Sequence, residues 1–237
     1  MKQLHQDKRR LQILAASVTR VSFNRTTWFV IFFVGVLLGQ QADAGKAVRL
    51  FDGKSFNGWE GNLSIFRIEQ GAVVGGTMKE PIAHNEFLCT TSEYDDFVLR
   101  LKVKLVGDPD KANAGIQLRT QRIPDHHEVI GYQADMGQGY WGALYDESRR
   151  KKVLAQPTKE VLDKTLKRED WNAYEIRAEG KRIRLSLNGV QTVDYTETDD
   201  TLVQRGKVCV QIHAGPPSEA WYKDITIEQL KNAKPAK

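Results

Sequence analysis

Over residues 97–105 the chain alternates strictly, with Phe97, Leu99, Leu101, Val103 and Leu105 on one parity and Arg100, Lys102 and Lys104 on the other. A period of two with basic residues on its outer side predicts a half-buried antiparallel strand. The pattern recurs downstream. Residues 171–178 set Tyr174 and Ile176 against Glu175 and Arg177, and Ile183, Leu185 and Leu187 carry the alternation to Asn188-Gly189, after which residues 190–194 resume it. Asn-Gly between two such runs predicts a type I′ hairpin, because both residues tolerate positive φ. Gln70-Gly71 between residues 65–69 and 72–74 predicts a second hairpin.

Short strands are predicted near Val48, over residues 86–90 and over residues 224–228. Residues 207–213 place Val208, Val210 and Ile212 on one face and Cys209, Gln211 and His213 on the other. Residues 153–167 carry a weak pattern for one helical turn, interrupted by Pro157. Many short strands, regular turn signals and almost no helix predict an all-β protein, a β-sandwich or jelly roll of two antiparallel sheets.

Residues 113–120, NAGIQLRT, put Gly115, Gln117 and Arg119 on one parity and Ile116 and Leu118 on the other. Residues 130–147, IGYQADMGQGYWGALYDE, add Gln133 and Asp135, and residues 207–213 add Gln211 and His213. Amides, a guanidinium, a carboxylate and an imidazole gathered on one sheet face can hydrogen-bond several hydroxyls and move a proton. Tyr132, Tyr140, Trp141 and Tyr145 supply rings that stack on sugars, so the chemistry points to carbohydrate. The plainer alternatives are solvated strand positions for Gln117 and Gln211 and a simple cross-strand ion pair between Arg119 and Asp135. Asp125, His126, His127 and Glu128 form a loop cluster suited to a metal or a base, although neighbouring side chains in an extended loop point apart. Gly137, Gly139 and Gly142 read as turn residues rather than a phosphate cradle.

Composition shifts at the N-terminus. Six basic residues and the apolar run 28–39 precede an Ala-Asp-Ala ending at Ala44. That is the form of a secretory signal over residues 1–44, with an uncleaved membrane anchor through residues 28–39 as the alternative. Removing its six basic and two acidic residues from the 35 and 30 of the whole chain leaves 29 against 28, a net charge of +1. The high overall basicity therefore belongs to the leader, and no nucleic-acid partner is expected. Only Arg149-Arg150-Lys151-Lys152 is clustered, and it reads as a solvated turn. Residues 45–231 make one domain, and residues 232–237 a frayed tail. Cys89 and Cys209 either bridge in an oxidising compartment or pack as small apolar residues.

In their order, the motifs LFDGKSFNGWEG, YDDFVLRLKVKL, NAGIQLRT, GYQADMGQGYWGALYDE, WNAYEIRAEGKRIRLSLNGV and GKVCVQIHAGPP resemble the 3-keto-disaccharide hydrolase domain family, also known as DUF1080. The resemblance spans nearly all of the chain after the leader. It implies a concanavalin A-like jelly roll and glycosides oxidised at C3 of the glucose unit as substrates. The C3 ketone acidifies the C2 proton and makes the C1 substituent a β leaving group, so elimination followed by hydration gives net hydrolysis.

Such a route needs a base near C2, a donor facing the enolate oxygen and an acid for the leaving oxygen. Applied to this chain, the resemblance implies Asp135 or His127 as base, Arg119 as enolate stabiliser and His213 or Glu128 as acid. Gln117, Tyr132, Gln133, Trp141, Tyr145 and Gln211 would hold the sugar. Some related enzymes use a divalent metal, for which Asp125, His126, His127 and Glu128 are the candidates here; no other cofactor is expected. The competing functions are a non-catalytic carbohydrate-binding module and a structural domain of the cell envelope. The leader implies a periplasmic or extracellular location, with membrane association only if it is not cleaved.

Overall fold

The computed structural model describes residues 45–230. The leader, the anchor at 28–39 and the tail at 232–237 lie outside the described residues. Fifteen strands and one short helix form two antiparallel sheets. The strands are β1 (Val48–Arg49), β2 (Trp59–Glu60), β3 (Phe66–Glu69), β4 (Ala72–Thr77), β5 (Glu86–Thr90), β6 (Phe97–Gly107), β7 (Asn113–Arg122), β8 (Val129–Gly137), β9 (Leu144–Glu147), β10 (Lys152–Ala155), β11 (Asn172–Glu179), β12 (Arg182–Leu187), β13 (Val190–Thr196), β14 (Lys207–Ile212) and β15 (Ser218–Gln229). The helix, α1 (Lys159–Thr165), follows Pro157.

The first sheet runs β13-β12-β11-β6-β15-β4-β3, with β1 added against β15. The second runs β10-β9-β8-β7-β14-β5-β2. Between them lies a core built by the parity rule. Leu99, Leu101 and Val103 of β6 and Tyr174 and Ile176 of β11 meet Ile116 and Leu118 of β7, Ala134 and Met136 of β8, and Val208, Val210 and Ile212 of β14. Both predicted hairpins form, with Gln70 and Gly71 at φ 51° and 74° and Asn188 and Gly189 at φ 50° and 81°.

Two strands break their own alternation. In β15, Ala220 and Tyr222 face the core, but Asp224 adopts φ 55° and the inward phase resumes at Ile225 and Ile227. This bulge inserts a residue into the pairing with β6, which is why alternation finds only residues 224–228 of a twelve-residue strand. In β7 the pairing with β8 shifts between Leu118 and Gln121, and Arg119 sits at φ 51°.

Cys89 and Cys209 lie directly opposite each other on β5 and β14 and form a disulfide, with Cα atoms 4.0 Å apart. The bridge faces away from the main core and packs with Phe87 and Val129 in a second buried cluster.

Candidate functional site

The second sheet sets β9, β8, β7, β14 and β5 side by side, so the outward parities of these strands fall into rows. In one row Tyr145 opposes Gln133, Gln133 opposes Gln117, and Gln117 opposes Cys209. In the next, Asp135 opposes Gly115 and Gly115 opposes Gln211. The three polar strands expected to neighbour one another do so. Gly115 is part of this floor: a β-carbon there would sit 2.5 Å from Cδ of Gln133, so the missing side chain makes room for the Gln133 amide to lie across the row.

At one end of these rows opens a cleft of about 220 Å³ lined by Asn113, Gln133, Asp135, Gln138, Tyr140, Tyr145, Glu147 and His213. Asp135 is its most enclosed ionisable member, only 4% exposed. Asn113 Nδ2 donates to Asp135 Oδ1 at 3.2 Å and the Met136 amide donates to the same oxygen at 2.9 Å. Both bonds end on Oδ1, and the side chain of Gln133 also hydrogen-bonds to the carboxyl. Burial pushes the Asp135 carboxyl up to about 8, against the pull of these donors and with the nearby Glu147 charge adding to the rise. Its backbone is fixed from behind, because Tyr174 Oη donates to Asp135 O at 2.6 Å and the Gly142 amide reaches the same carbonyl at 3.2 Å. Gly142 holds φ 74° in that tight β8–β9 turn, so the glycine serves backbone geometry.

Glu147 is half-buried, and its carboxyl is pushed up to about 7 by burial and then by the charge of Glu128. It was not among the residues singled out from sequence, although alternation from Tyr145 along β9 carries the signal. His213 follows β14, its amide donating to Asn113 O at 3.1 Å. Its Nδ1 lies 2.7 Å from Ala214 O. A carbonyl only accepts, so Nδ1 carries the hydrogen and Nε2 of the neutral ring keeps its lone pair.

Several expected members are elsewhere. Arg119 leaves the row at its bulge, with a fully buried side chain bonded to Asp95 O (2.7 Å), Gly180 O (2.6 Å), Gln204 Oε1 (2.7 Å) and Asp96 Oδ1 (2.8 Å). It neither pairs with Asp135 nor faces the cleft; it ties the second sheet to loops of the first. Arg119→Ala should therefore cost about 3 kcal/mol of stability, by stranding Asp96 and two carbonyls. Urea unfolding together with sugar titration checks this, since affinity should stay unchanged.

Tyr132 belongs to the inward parity and is fully buried in the core. Its hydroxyl donates to Glu197 at 2.8 Å. Trp141 is also core and lines a separate hollow beside Leu105, Ala112 and Arg168. Neither ring is available to a sugar in the cleft, so that part falls to Tyr140 and Tyr145.

Gln117 and Gln211 are fully buried rather than solvated. Gln117 donates to Gln133, while Gln117 Oε1 and both polar atoms of the Gln211 amide have no partner among the described residues. They form the floor beneath the site and do not line its opening.

The loop cluster also fails to converge. His126 Nδ1 accepts the Glu128 amide at 3.0 Å, and His126 and His127 stack with ring centres 4.3 Å apart, His127 in turn stacking on His84. Glu128 accepts from Asn85 at 2.9 Å and lies 3.8 Å from His127. Asp125 stands at φ 54° in the turn. Among the described residues no group of three or more His, Cys, Asp or Glu side chains is arranged to hold a metal ion. Neither His127 nor Glu128 lines the cleft.

The basic run is a solvated turn only in part, at the exposed Lys151 and Lys152. Arg149 and Arg150 turn inward to the fully buried Asp146, and Arg150 reaches Glu197 at 2.7 Å. A larger hollow of about 610 Å³ lies on the first sheet, but its charges are already matched, Arg100 with Glu175 at 2.8 Å and Lys102 with Asp224 at 3.0 Å.

Comparison with known proteins gives a family and a fold. A family model described as a 3-keto-alpha-glucoside-1,2-lyase-like domain matches residues 46–228. No curated protein matches the sequence. Among solved structures, a Parabacteroides distasonis protein provisionally assigned to the glycosyl hydrolases superposes with a TM-score of 0.58 at 16% identity, covering 79% of this chain and 94% of its own. A carbohydrate-binding module of Bacillus subtilis gives 0.56 at 13% identity, covering 73% and 96%. A β-glucanase of Bacillus licheniformis gives 0.54 at 9% identity, covering 81% and 100%. The jelly-roll sandwich expected from the motifs is thus the fold, one shared by carbohydrate-cleaving and carbohydrate-binding proteins.

Proposed function

The chain belongs to the family of 3-keto-alpha-glucoside-1,2-lyase-like domains, and we propose that its cleft binds a 3-keto-glycoside and eliminates the C1 substituent, with hydration completing net hydrolysis. The observation that carries this reading is Asp135, a buried carboxyl that lines the cleft and is fixed in place by Asn113 and the Met136 amide. A carboxyl at about 8 keeps its proton at neutral pH and donates a hydrogen bond without bringing a charge into the site. That suits the C3 oxygen as it becomes an enolate, the role left vacant by Arg119. His213 Nε2, the free lone pair of the cleft, takes the C2 proton. This division of labour moves Asp135 from the base expected from sequence to the enolate donor expected of Arg119, and His213 from acid to base. Gln133, Tyr140 and Tyr145 hold the sugar.

The disulfide supports an oxidising compartment and so an exported protein, in keeping with the leader.

A non-catalytic module needs the same aromatic rings and amides but no carboxyl displaced toward neutrality, and the cleft has two. The test is to offer purified protein 3-keto and unmodified disaccharides and to follow ultraviolet absorption of the enone. Enone formation from the 3-keto sugar alone is expected. Binding of the unmodified sugar with no turnover of either would overturn the catalytic reading in favour of the module.

A further inference from the structure

Elimination also needs an acid for the departing glycosidic oxygen, and that part is still unassigned once Asp135 faces C3 and His213 faces C2. We propose that Glu147 is a catalytic residue of the cleft, the general acid that protonates the leaving oxygen. This rests on the elimination reading above. Glu147 lines the same cleft as Asp135 and His213 and stands two residues beyond Tyr145 on the same side of β9. Across the strand pair it opposes Gly131, where no side chain competes for the space.

The second observation is what Glu147 lacks. Four basic residues follow within five positions, yet among the described residues none forms an ion pair with it. Arg149 and Arg150 are drawn instead to Asp146, on the opposite side of β9, and Arg150 continues to Glu197. A half-buried glutamate beside such a run would ordinarily be paired by it; here the two arginines are fixed on the other face of the strand and the two lysines are exposed. The groups that Glu147 feels are Asp135 of β8, Glu128 in the loop before it, Tyr145 and Asp146 of its own strand, and Lys151, so negative charge prevails and the protonated form is favoured.

The step balances. The C2–H bond breaks and its proton goes to His213 Nε2, the electron pair moving into the C2–C3 bond and onto O3. The ketone then re-forms, C1 and C2 become doubly bonded, and the C1–O bond breaks with its pair on the leaving oxygen, which takes the Glu147 proton. Imidazolium and carboxylate remain, and proton exchange between them through solvent restores the site.

The test varies the need for the acid. With Glu147→Gln, enone formation from a methyl 3-keto-glucoside is expected to fall about 10²- to 10⁴-fold. From a 4-nitrophenyl 3-keto-glucoside, whose phenolate departs without a proton, the rate should stay within about threefold of wild type. Glu147→Asp keeps a carboxyl with a shorter reach, should recover part of the methyl-glucoside rate, and guards against a fold that does not tolerate the amide. Equal losses on both substrates, or none on either, would overturn the proposal. Wild-type protein that cleaves neither substrate would overturn the elimination reading and this assignment together, a result visible before any variant is made.

Discussion

Asp135→Asn is expected to reduce kcat/KM for a 3-keto-glycoside by about 10²- to 10⁴-fold while making the protein more stable at alkaline pH. Both effects share one cause. The folded state holds the carboxyl at about 8, above its ordinary value of 3.8, so folding favours the protonated form. The stability this gives is fully present below pH 3.8 and is lost as pH rises toward 8, where ionising a buried carboxyl costs up to about 5 kcal/mol. The amide does not ionise and keeps the same shape and the same floor. Urea unfolding at pH 5 and pH 9 separates the cases: wild type should weaken toward pH 9 and the variant should not. Parallel pH dependence in the two proteins would mean that Asp135 is already ionised in the fold and could not act as the neutral donor.

The second large effect lies behind the cleft. Glu197→Gln is expected to lower stability by about 3–5 kcal/mol, because it leaves a buried network of charges unbalanced. Glu197 is 1% exposed and receives Tyr132 Oη at 2.8 Å, Arg150 Nη2 at 2.7 Å and the amides of Thr198 and Asp199, both at 3.0 Å. Burial alone would raise its pKa, but Arg150 and the amides outweigh it and hold the carboxyl down at about 2. A depressed value stabilises the fold above pH 4.5, and that contribution is lost as pH falls from 4.5 toward 2. Denaturant unfolding from pH 6 to pH 2 should show a steep loss in wild type over that window and a shallower one in the variant. The network also anchors β9 through Asp146, so Tyr145 and Glu147 stand on a strand clamped from its other side.

Much of the fold was legible because alternation survives wherever strands are unbroken. β6, β11, β12 and β14 present the parity read from their residues, and both hairpins turn where Gln70-Gly71 and Asn188-Gly189 require. The same arithmetic excludes Tyr132 from the outer face, since it neighbours Gln133 on the opposite parity; proximity to other aromatics in the sequence was the misleading signal. Arg119 misled for another reason. Its residue type and spacing fit the site, but a bulge turns it out of the row, and a single residue at positive φ leaves no trace in hydrophobic pattern.

By itself the sequence determined the all-β class, the family motifs and the joint placement of Gln117, Gln133, Asp135 and Gln211 on one sheet face, because these depend on local period and residue order. Only the tertiary structure decided which of them meet the cleft. That depends on sheet order, which sets β8 between β7 and β9 and so brings Glu147 beside Asp135. It depends equally on long-range partners, which carry Arg119 to Asp96 and Arg150 to Glu197 and leave the cleft carboxyls without an ion pair among the described residues. A charge takes the partner that three dimensions bring nearest, and strand parity fixes only the side from which it starts.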